Sequence, residues 1–351
     1  ESTTAHRRNA HNLHPGGGTV GVSNTGGGIR QATKGASREL LGGNFIDKPI
    51  GRALNGSFVD LSGTTVSGTG VYSTVGTGLI RVTNSTLNNL SFTGSLTLAN
   101  GTNDTLVGTL TNNGTISFGN SGGGINLHLS GSVTLAGTGL ISLNDVSNNR
   151  IYADTGGGRL TIGANQTIQG SGNLGIGQTT FTNNGTIIAN QSNALILQPG
   201  GGSGDFTNNG TLTADNAVLQ LTSGAFNNGG TIQATNGGTL RFNAAVNSSG
   251  TVNVGSANLT GTGSYTQTGG SFILTGGTAQ LNSALNFQGG LVDARGTINA
   301  AVMNNATLRP ALGGSGLNVT GNVSLLGASQ LTFQLGGLTQ GSQYGFLNVN
   351  G

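Results

Sequence analysis

Six residues between positions 128 and 159 form the densest group of side chains in this sequence that could perform acid–base or binding chemistry. They are His128, Asp145, Arg150, Tyr152, Asp154 and Arg159. Imidazole, carboxylate and phenol groups are those that general acid–base catalysis uses. Alternation of apolar residues around His128 points its side chain outward without a partner. We favour the simpler interpretation, which is a solvated corner with surface ion pairs.

The remaining ionisable residues predict no further chemical centre. Polysaccharide cleavage of the lyase type needs clustered acids for calcium and a basic proton abstractor, but residues 53–351 contain scattered Asp and neither Lys nor Glu. His6, His11 and His14 have a loose metal-like spacing without an evident fourth ligand. We therefore predict no catalytic residue, no metal and no cofactor, and a protein that is not an enzyme.

The composition limits the fold class. Gly accounts for 68 of 351 residues, charged residues for 7%, and Cys and Trp are absent. Strong helix formers are scarce, which excludes a helical bundle, and the lack of Cys excludes disulfides and Cys-ligated metals. No apolar run is long enough for a membrane span. Phe45 is the only aromatic residue of the basic N-terminal segment, so no base-stacking platform for nucleic acid is indicated.

Charge divides the chain near the bond between Arg52 and Ala53. Residues 1–52 carry seven Lys or Arg and three acidic residues, whereas residues 53–351 carry six Arg and seven Asp. We expect residues 1–52 to form an irregular, Gly-rich basic arm or cap. Its candidate contacts with a neighbouring subunit are Arg7, Arg8, Arg30, Lys34 and Arg38.

Residues 53–351 contain a repeat whose plainest unit reads aromatic-Thr-Asn-Asn-Gly-Thr-aliphatic. Copies begin at Phe181, Phe206 and Phe226, and weaker ones at Val246, Tyr265, Leu285 and Val302. The spacings are 25, 20, 20, 19, 20 and 17 residues. A period near 20 is typical of a solenoid, in which equivalent positions stack.

Within each unit, short stretches of alternating polar and apolar residues predict strands with one buried face. Gly and Asn between them supply the corners. The sequence therefore predicts an all-β, parallel β-helix with coils of about 20 residues. A β-sandwich is the main rival, since Asn-Gly hairpin signals are frequent, but a sandwich does not require one motif at near-constant spacing.

Stacking of the units predicts an internal aromatic column and an amide ladder, in which each Asn side chain bonds to the next. The residues expected in these columns are Phe181, Asn183, Asn184, Phe206, Asn208, Asn209, Phe226, Asn227 and Asn228.

Three stretches resemble bacterial β-strand-repeat surface proteins. They are the FTNNGTI and FTNNGTL copies, TLNNLSFTGSLTLANGTNDTLVGTL from Thr86, and LTFQLGGLTQGSQYGFLNVNG from Leu331. That group includes passenger regions of autotransporters, filamentous-haemagglutinin-like adhesins and repeat proteins with a Pro-Glu-Pro sorting signal. The resemblance covers about residues 53–351 and implies an extracellular β-solenoid with an adhesive or structural role.

Two classes of function remain. We favour a non-enzymatic extracellular or cell-surface subunit that stacks head-to-tail into a homopolymeric fibre, with the N-terminal arm engaging the neighbouring subunit. The alternatives are a monomeric adhesin rod and a carbohydrate-active β-helix that cleaves or binds glycans. A carbohydrate-active β-helix would need an acid-lined groove with exposed aromatic residues along one face, and the exposed candidates, Tyr72 and Tyr152, are few and far apart. A cell-surface glycan is the other partner considered, and neither nucleic acid nor a membrane span is expected.

Overall fold

The computed structural model describes residues 30–32, 37–46, 51–119, 121–154, 157–200, 205–314 and 316–351. Its secondary structure in these ranges consists of 39 β-strands. Helices are absent from the described part of the chain, which is consistent with its low content of helix-favouring residues.

In chain order the strands are β1 (Arg30–Ala32), β2 (Ser37–Ile46), β3 (Gly51–Ala53), β4 (Phe58–Ser67), β5 (Val71–Thr74), β6 (Leu79–Thr83), β7 (Thr86–Asn88), β8 (Ser91–Thr93), β9 (Ser95–Ala99), β10 (Asn103–Asn112), β11 (Thr115–Gly119), β12 (Asn126–Ala136), β13 (Leu140–Ser142), β14 (Arg150–Ala153), β15 (Gly158–Ile162), β16 (Thr167–Gly170), β17 (Gly172–Leu174), β18 (Thr179–Asn183), β19 (Thr186–Ala189), β20 (Leu195–Leu197), β21 (Phe206–Asn208), β22 (Thr211–Asp215), β23 (Val218–Leu221), β24 (Ala225–Asn228), β25 (Thr231–Thr235), β26 (Thr239–Phe242), β27 (Ala245–Ser248), β28 (Thr251–Gly255), β29 (Asn258–Gly261), β30 (Tyr265–Gln267), β31 (Ser271–Leu281), β32 (Leu285–Phe287), β33 (Leu291–Ile298), β34 (Val302–Asn304), β35 (Thr307–Pro310), β36 (Leu317–Val319), β37 (Val323–Leu325), β38 (Gln330–Leu331) and β39 (Leu347–Val349).

These strands form a parallel β-solenoid of about 13 turns with about 21 residues per coil. Each coil contributes one strand segment to each of three faces, and every segment between the two terminal coils pairs in parallel with the same face of the coils before and after it. Strands β22, β23 and β24, for example, lie on faces 1, 2 and 3 and pair with β25, β26 and β27. All pairings between these strands are parallel, which excludes the β-sandwich.

Six long strands, β2, β4, β10, β12, β31 and β33, continue from one face to the next without a break. In β10 the register shifts between Val107 and Gly108, where Gly108 has φ 68°. A Cβ atom at Gly108 would lie 2.3 Å from Oδ1 of Asn89 in the preceding coil, so a side chain here would be strained and would have to displace the Asn89 amide.

The core is a narrow stack of apolar columns, because alternate residues of each strand point inward. On face 3 one column runs from Phe181 through Phe206, Phe226, Val246 and Tyr265, and then through Leu285 and Val302, with Leu160 before Phe181. The first residues of successive sequence repeats are therefore register partners in the structure, and this holds for the weaker copies as well. Its variable spacing is absorbed in the corners, whose length changes without disturbing the strands.

The parallel ladder extends upstream of the boundary that the charge pattern predicts. Strand β1 pairs with β3, and β2 pairs with β4, so the segments 30–32 and 37–46 have the same pairing as later coils. Arg30 lies in β1 and Arg38 in β2, within the part of the chain expected to be irregular. Arg7, Arg8 and Lys34 lie outside the described residues.

Candidate functional site

The strongest cluster of ionisable side chains lies on face 2, where strand β14 follows β12. His128 and Tyr152 are register partners on these strands, and their rings lie 4.7 Å apart at an angle of 53°. Nδ1 of His128 contacts Oδ1 of Asp154, which follows the end of β14. The phenol oxygen of Tyr152 lies 3.4 Å from Nε2 of the same imidazole. Stacking of the two coils thus brings together three residues separated by up to 26 positions.

Two expectations about exposure are wrong. His128 does point away from the core, but it has partners: its side chain is only 17% exposed between the Asp154 carboxylate and the Tyr152 ring. Tyr72 is buried, with 4% exposure, because it occupies an inward position of β5 in register with Phe92, while Val71 faces outward. Successive residues of β5 point alternately inward and outward, and this alternation places Tyr72 inside. In a strand of only four residues the sequence does not show which residues point inward.

A buried carboxylate lies one coil below this cluster, at Asp104. It accepts hydrogen bonds from the backbone N–H of Ser85 at 2.9 Å and from the hydroxyl of Thr102 at 2.9 Å. Burial raises its pKa, and the hydrogen bonds and the charge of His128 oppose that rise only in part. Sequence reasoning did not single out Asp104, yet its spacing of two from Leu106 places both on the inner side of β10.

Of the other members of the predicted patch, Arg150 lies beside the cluster, two residues before Tyr152 on the outward side of β14, whereas Asp145 and Arg159 lie elsewhere. Arg150 is the register partner of Asn126 and Asn173 on face 2. Arg159 is on face 3, where its guanidinium donates to the hydroxyl of Thr182 at 3.0 Å. The six predicted residues therefore form one cluster of His128, Tyr152 and Asp154, with Arg150 beside it on β14, and two separate positions, Asp145 and Arg159.

Asp145 lies in a corner, where it accepts hydrogen bonds from the backbone N–H of Asn193 at 2.8 Å and from its side-chain amide at 3.1 Å. The backbone hydrogen bond from Asn193 is the main cause that lowers the pKa of this carboxyl. Asp145 and Asn193 are 48 residues apart, so the contact joins corners of non-adjacent coils. Asp145 therefore acts as a clasp between corners, separate from the His128 cluster.

Backbone strain lies beside the cluster. Ile176 has φ 43°, a left-handed conformation that is unfavourable for a β-branched residue, and it stands between Gly175 and Gly177. The backbone N–H of Gly175 donates to the carbonyl of Ile151 at 2.8 Å, so the strained turn follows the strand that stacks on β14.

An imidazole oriented by a carboxylate is an arrangement that general bases use. Here Nε2 of His128 faces the phenol of Tyr152 and Oδ1 of Asn103, each at 3.4 Å, and these neighbours occupy the side a substrate would approach. Among the described residues, no three His, Cys, Asp or Glu side chains converge as metal ligands would. The geometry is that of a lateral contact between adjacent coils.

The interior of face 3 contains the predicted amide ladder. The side-chain amide of Asn183 donates to Oδ1 of Asn208 at 2.8 Å, that of Asn208 to Oδ1 of Asn228 at 2.8 Å, and that of Asn228 to the Ser248 hydroxyl at 3.0 Å. All four side chains are buried. Each rung is thus satisfied by the coil above it.

The aromatic column runs beside this ladder. The rings of Phe181 and Phe206 are stacked with centroids 5.3 Å apart, and those of Phe206 and Phe226 with centroids 5.0 Å apart. All three are fully buried, so the column combines apolar burial with ring stacking.

The remaining predicted ladder residues face solvent. Asn209 donates its side-chain amide to Oδ1 of Asn184 at 2.9 Å, in a second, exposed ladder at the corner. Asn227 is not a rung: it is the register partner of Thr207 and Asn247, and its side chain points outward. In the Phe226 copy the motif lacks its Thr, so Asn227 takes the outward Thr position and Asn228 the inward one.

Comparison of the chain with protein-family models, with curated proteins and with solved structures gives no match. In the part of the chain that the structure describes, no helix has the length and hydropathy that crossing a membrane requires.

Proposed function

We propose that this protein is a non-enzymatic structural subunit outside the cell, and that its solenoids stack head-to-tail into a fibre. The observation that carries the proposal is an apolar surface on the last coils. Of the eleven large apolar side chains exposed among the described residues, seven lie between positions 325 and 349. They are Leu325, Leu326, Leu331, Phe333, Leu335, Leu338 and Val349.

The position of this surface suits stacking of another β-coil. Strands β37, β38 and β39 are the outermost of their faces and pair on one side only, with β34, β35 and β36. A further parallel coil would meet their free backbone groups and cover the apolar side chains, of which Leu335 and Leu338 are 79% and 97% exposed. A second copy supplies such a coil at its other end, and contacts of this head-to-tail kind propagate without closing.

The composition supports an extracellular setting. Residues 53–351 contain no Lys, Glu or Cys, and the chain resembles surface repeat proteins in its Asn-Gly-Thr motifs. A rod whose order comes from backbone pairing between coils suits a structural role, because each coil is supported by two neighbours.

The direct test is electron microscopy of native material together with sedimentation of the purified chain. We expect filaments with an axial repeat of about 60 Å, from about 13 turns at about 4.8 Å each. Leu335→Lys with Leu338→Lys should shift the chain to single rods, because stacking would bury both charges. Asn258→Lys, which adds one charge at an exposed position of face 2, should leave filaments intact.

Three results would overturn the proposal. The first is a chain that sediments as a single rod at all concentrations. The second is filaments that survive both Leu substitutions. The third is a native product in which further coils of the same chain cover Leu335 and Leu338.

A further inference from the structure

A shallow groove runs along face 3 across four successive coils, away from the His128 cluster and from the apolar last coils. It is lined by Thr207, Asn227 and Asn247 on the strands and by Gly229, Ser249 and Thr268 at the adjoining corner. Thr207, Asn227 and Asn247 are consecutive register partners, so their side chains form one outward column.

Two stacked amides in this groove differ from the other stacked Asn pairs on this side of the solenoid. Elsewhere on this side of the solenoid, stacked Asn residues bond to each other, as Asn183 does to Asn208 and Asn209 does to Asn184. Asn227 and Asn247 are also stacked and exposed, yet the structure shows no hydrogen bond from either side chain. Both amides therefore keep their donors and acceptors available to a ligand.

The lining favours an uncharged, hydroxyl-rich ligand. Every polar side chain of the groove is an amide or a hydroxyl, and each can both donate and accept, as sugar hydroxyls do. No ionisable side chain lines it, so an anionic or cationic ligand would find no counter-charge there. A peptide strand would need free backbone groups, and those of β21, β24 and β27 are used in coil pairing.

We propose that this groove binds an uncharged glycan chain that lies along the solenoid axis. No aromatic side chain lines it, so the contacts are hydrogen bonds from amides and hydroxyls in place of the aromatic platform expected from the sequence. Successive coils place equivalent amides and hydroxyls about 4.8 Å apart, so one polymer can contact several coils at once. The site is independent of fibre formation, because neither the apolar last coils nor the N-terminal arm contributes to it.

The chain offers matched variants for the test. Asn227→Ala and Asn247→Ala remove the amides, and Asn258→Ala removes an equally exposed and unbonded amide from face 2. At Gly229 a Cβ atom would lie 3.7 Å from its nearest neighbour, so Gly229→Ala fits and places a methyl group in the groove. At Gly327 nothing lies within 4 Å of such an atom, which makes Gly327→Ala its control.

The experiment is isothermal titration of the full chain with uncharged oligosaccharides of glucose, mannose, galactose and N-acetylglucosamine, and with oligogalacturonate as the acidic comparator. We expect one uncharged glycan to bind, and Asn227→Ala with Asn247→Ala to weaken it by about tenfold. Gly229→Ala should weaken it also. Asn258→Ala and Gly327→Ala should bind normally. All melting temperatures should stay unchanged, because the Asn side chains make no hydrogen bonds and both Gly positions have room for a methyl group.

Three outcomes would refute the proposal that this groove binds an uncharged glycan. One is the absence of binding to every uncharged glycan in the panel. Another is binding that the Asn227, Asn247 and Gly229 variants leave unaltered. The third is a preference for the acidic oligosaccharide.

Discussion

Asn183 donates its side-chain amide to Oδ1 of Asn208 at 2.8 Å, although the two residues are 25 positions apart. The side-chain amide of Asn208 in turn donates to Oδ1 of Asn228. This column of amides lies inside a solenoid whose other buried columns are mainly apolar. It ties the position of each coil to that of the next, because a shifted coil would leave buried amides without partners.

Asn208, the middle residue of this ladder, should therefore contribute most to the free energy of unfolding. Asn208→Leu removes the hydrogen bond that Asn208 accepts from Asn183 and the one it donates to Oδ1 of Asn228, which is left without a donor in the core. It also removes the donations of the Asn208 amide to the carbonyls of Gly210 and Thr231. We expect a loss of about 3 kcal/mol in the free energy of unfolding, measured by urea titration. Asn227→Ala, one residue away but facing outward, should change it by less than about 0.5 kcal/mol. Equal effects of the two substitutions would contradict the ladder.

A later position of the same column should respond in the opposite direction. Asn304 is fully buried, and its Oδ1 has no hydrogen-bond partner, because its register partners are Phe287 and Leu325. Its amide donates to the Ala306 carbonyl, which also accepts from the N–H of Gln330 at 3.0 Å. Asn304→Leu should therefore raise the free energy of unfolding by about 1 kcal/mol, read from the same urea titration. A loss of stability would show that the amide is satisfied.

The aromatic column gives a test of packing. Phe206 lies between the rings of Phe181 and Phe226 with centroids 5.3 and 5.0 Å away. Phe206→Ala should cost about 4 kcal/mol by opening a cavity, whereas Phe206→Leu should cost about 1 kcal/mol. Thermal unfolding followed by circular dichroism compares the two. If Leu were as costly as Ala, stacking of the rings would outweigh apolar burial.

Stability should fall as pH rises through the titration of Asp104. The pKa of this carboxyl is raised above its ordinary value of 3.8 by burial, so the folded chain binds its proton more tightly than the unfolded chain. The loss begins near pH 3.8 and is complete above the raised pKa of the folded state. Asp104→Asn preserves the acceptor for the Ser85 N–H and should remove this pH dependence. Urea titrations of both chains from acid to neutral pH check it, and parallel pH curves would contradict it.

The contact of Asp145 with Asn193 should depend on pH in the opposite direction. The pKa of Asp145 is lowered by the hydrogen bond from the Asn193 N–H, so the clasp is fully formed above the ordinary value of 3.8. It is lost as pH falls from there through the lowered pKa of the folded state. Nuclear magnetic resonance should show the Asn193 amide signal moving in that acidic range, and Asp145→Asn should abolish the movement. A signal that stays constant through the acid range would exclude the clasp in solution.

Residue order alone determined the periodic parts of this protein. Alternation within each unit predicts strands, and the recurrence of Phe, Asn and Gly near every 20 residues predicts parallel coils in register. The inward Asn and Phe columns follow from the same two periods, since a repeated phase along the chain becomes a stacked column in space. These features are local or strictly periodic, so no tertiary information is needed to infer them.

Tertiary structure alone decided which side chains meet at the corners and which residues of each short strand point inward. Corners of different length bring His128 to Asp154 and Asp145 to Asn193, and they separate Arg159 from both. The alternation of inward and outward positions along each strand places Tyr72 and Asp104 inside and Asn227 outside. A residue added or missing in a corner shifts where the next strand begins, and so decides which of two adjacent residues points inward. Such insertions are invisible until pairing between coils sets the register, which is why the periodic frame was predictable and its exceptions were not.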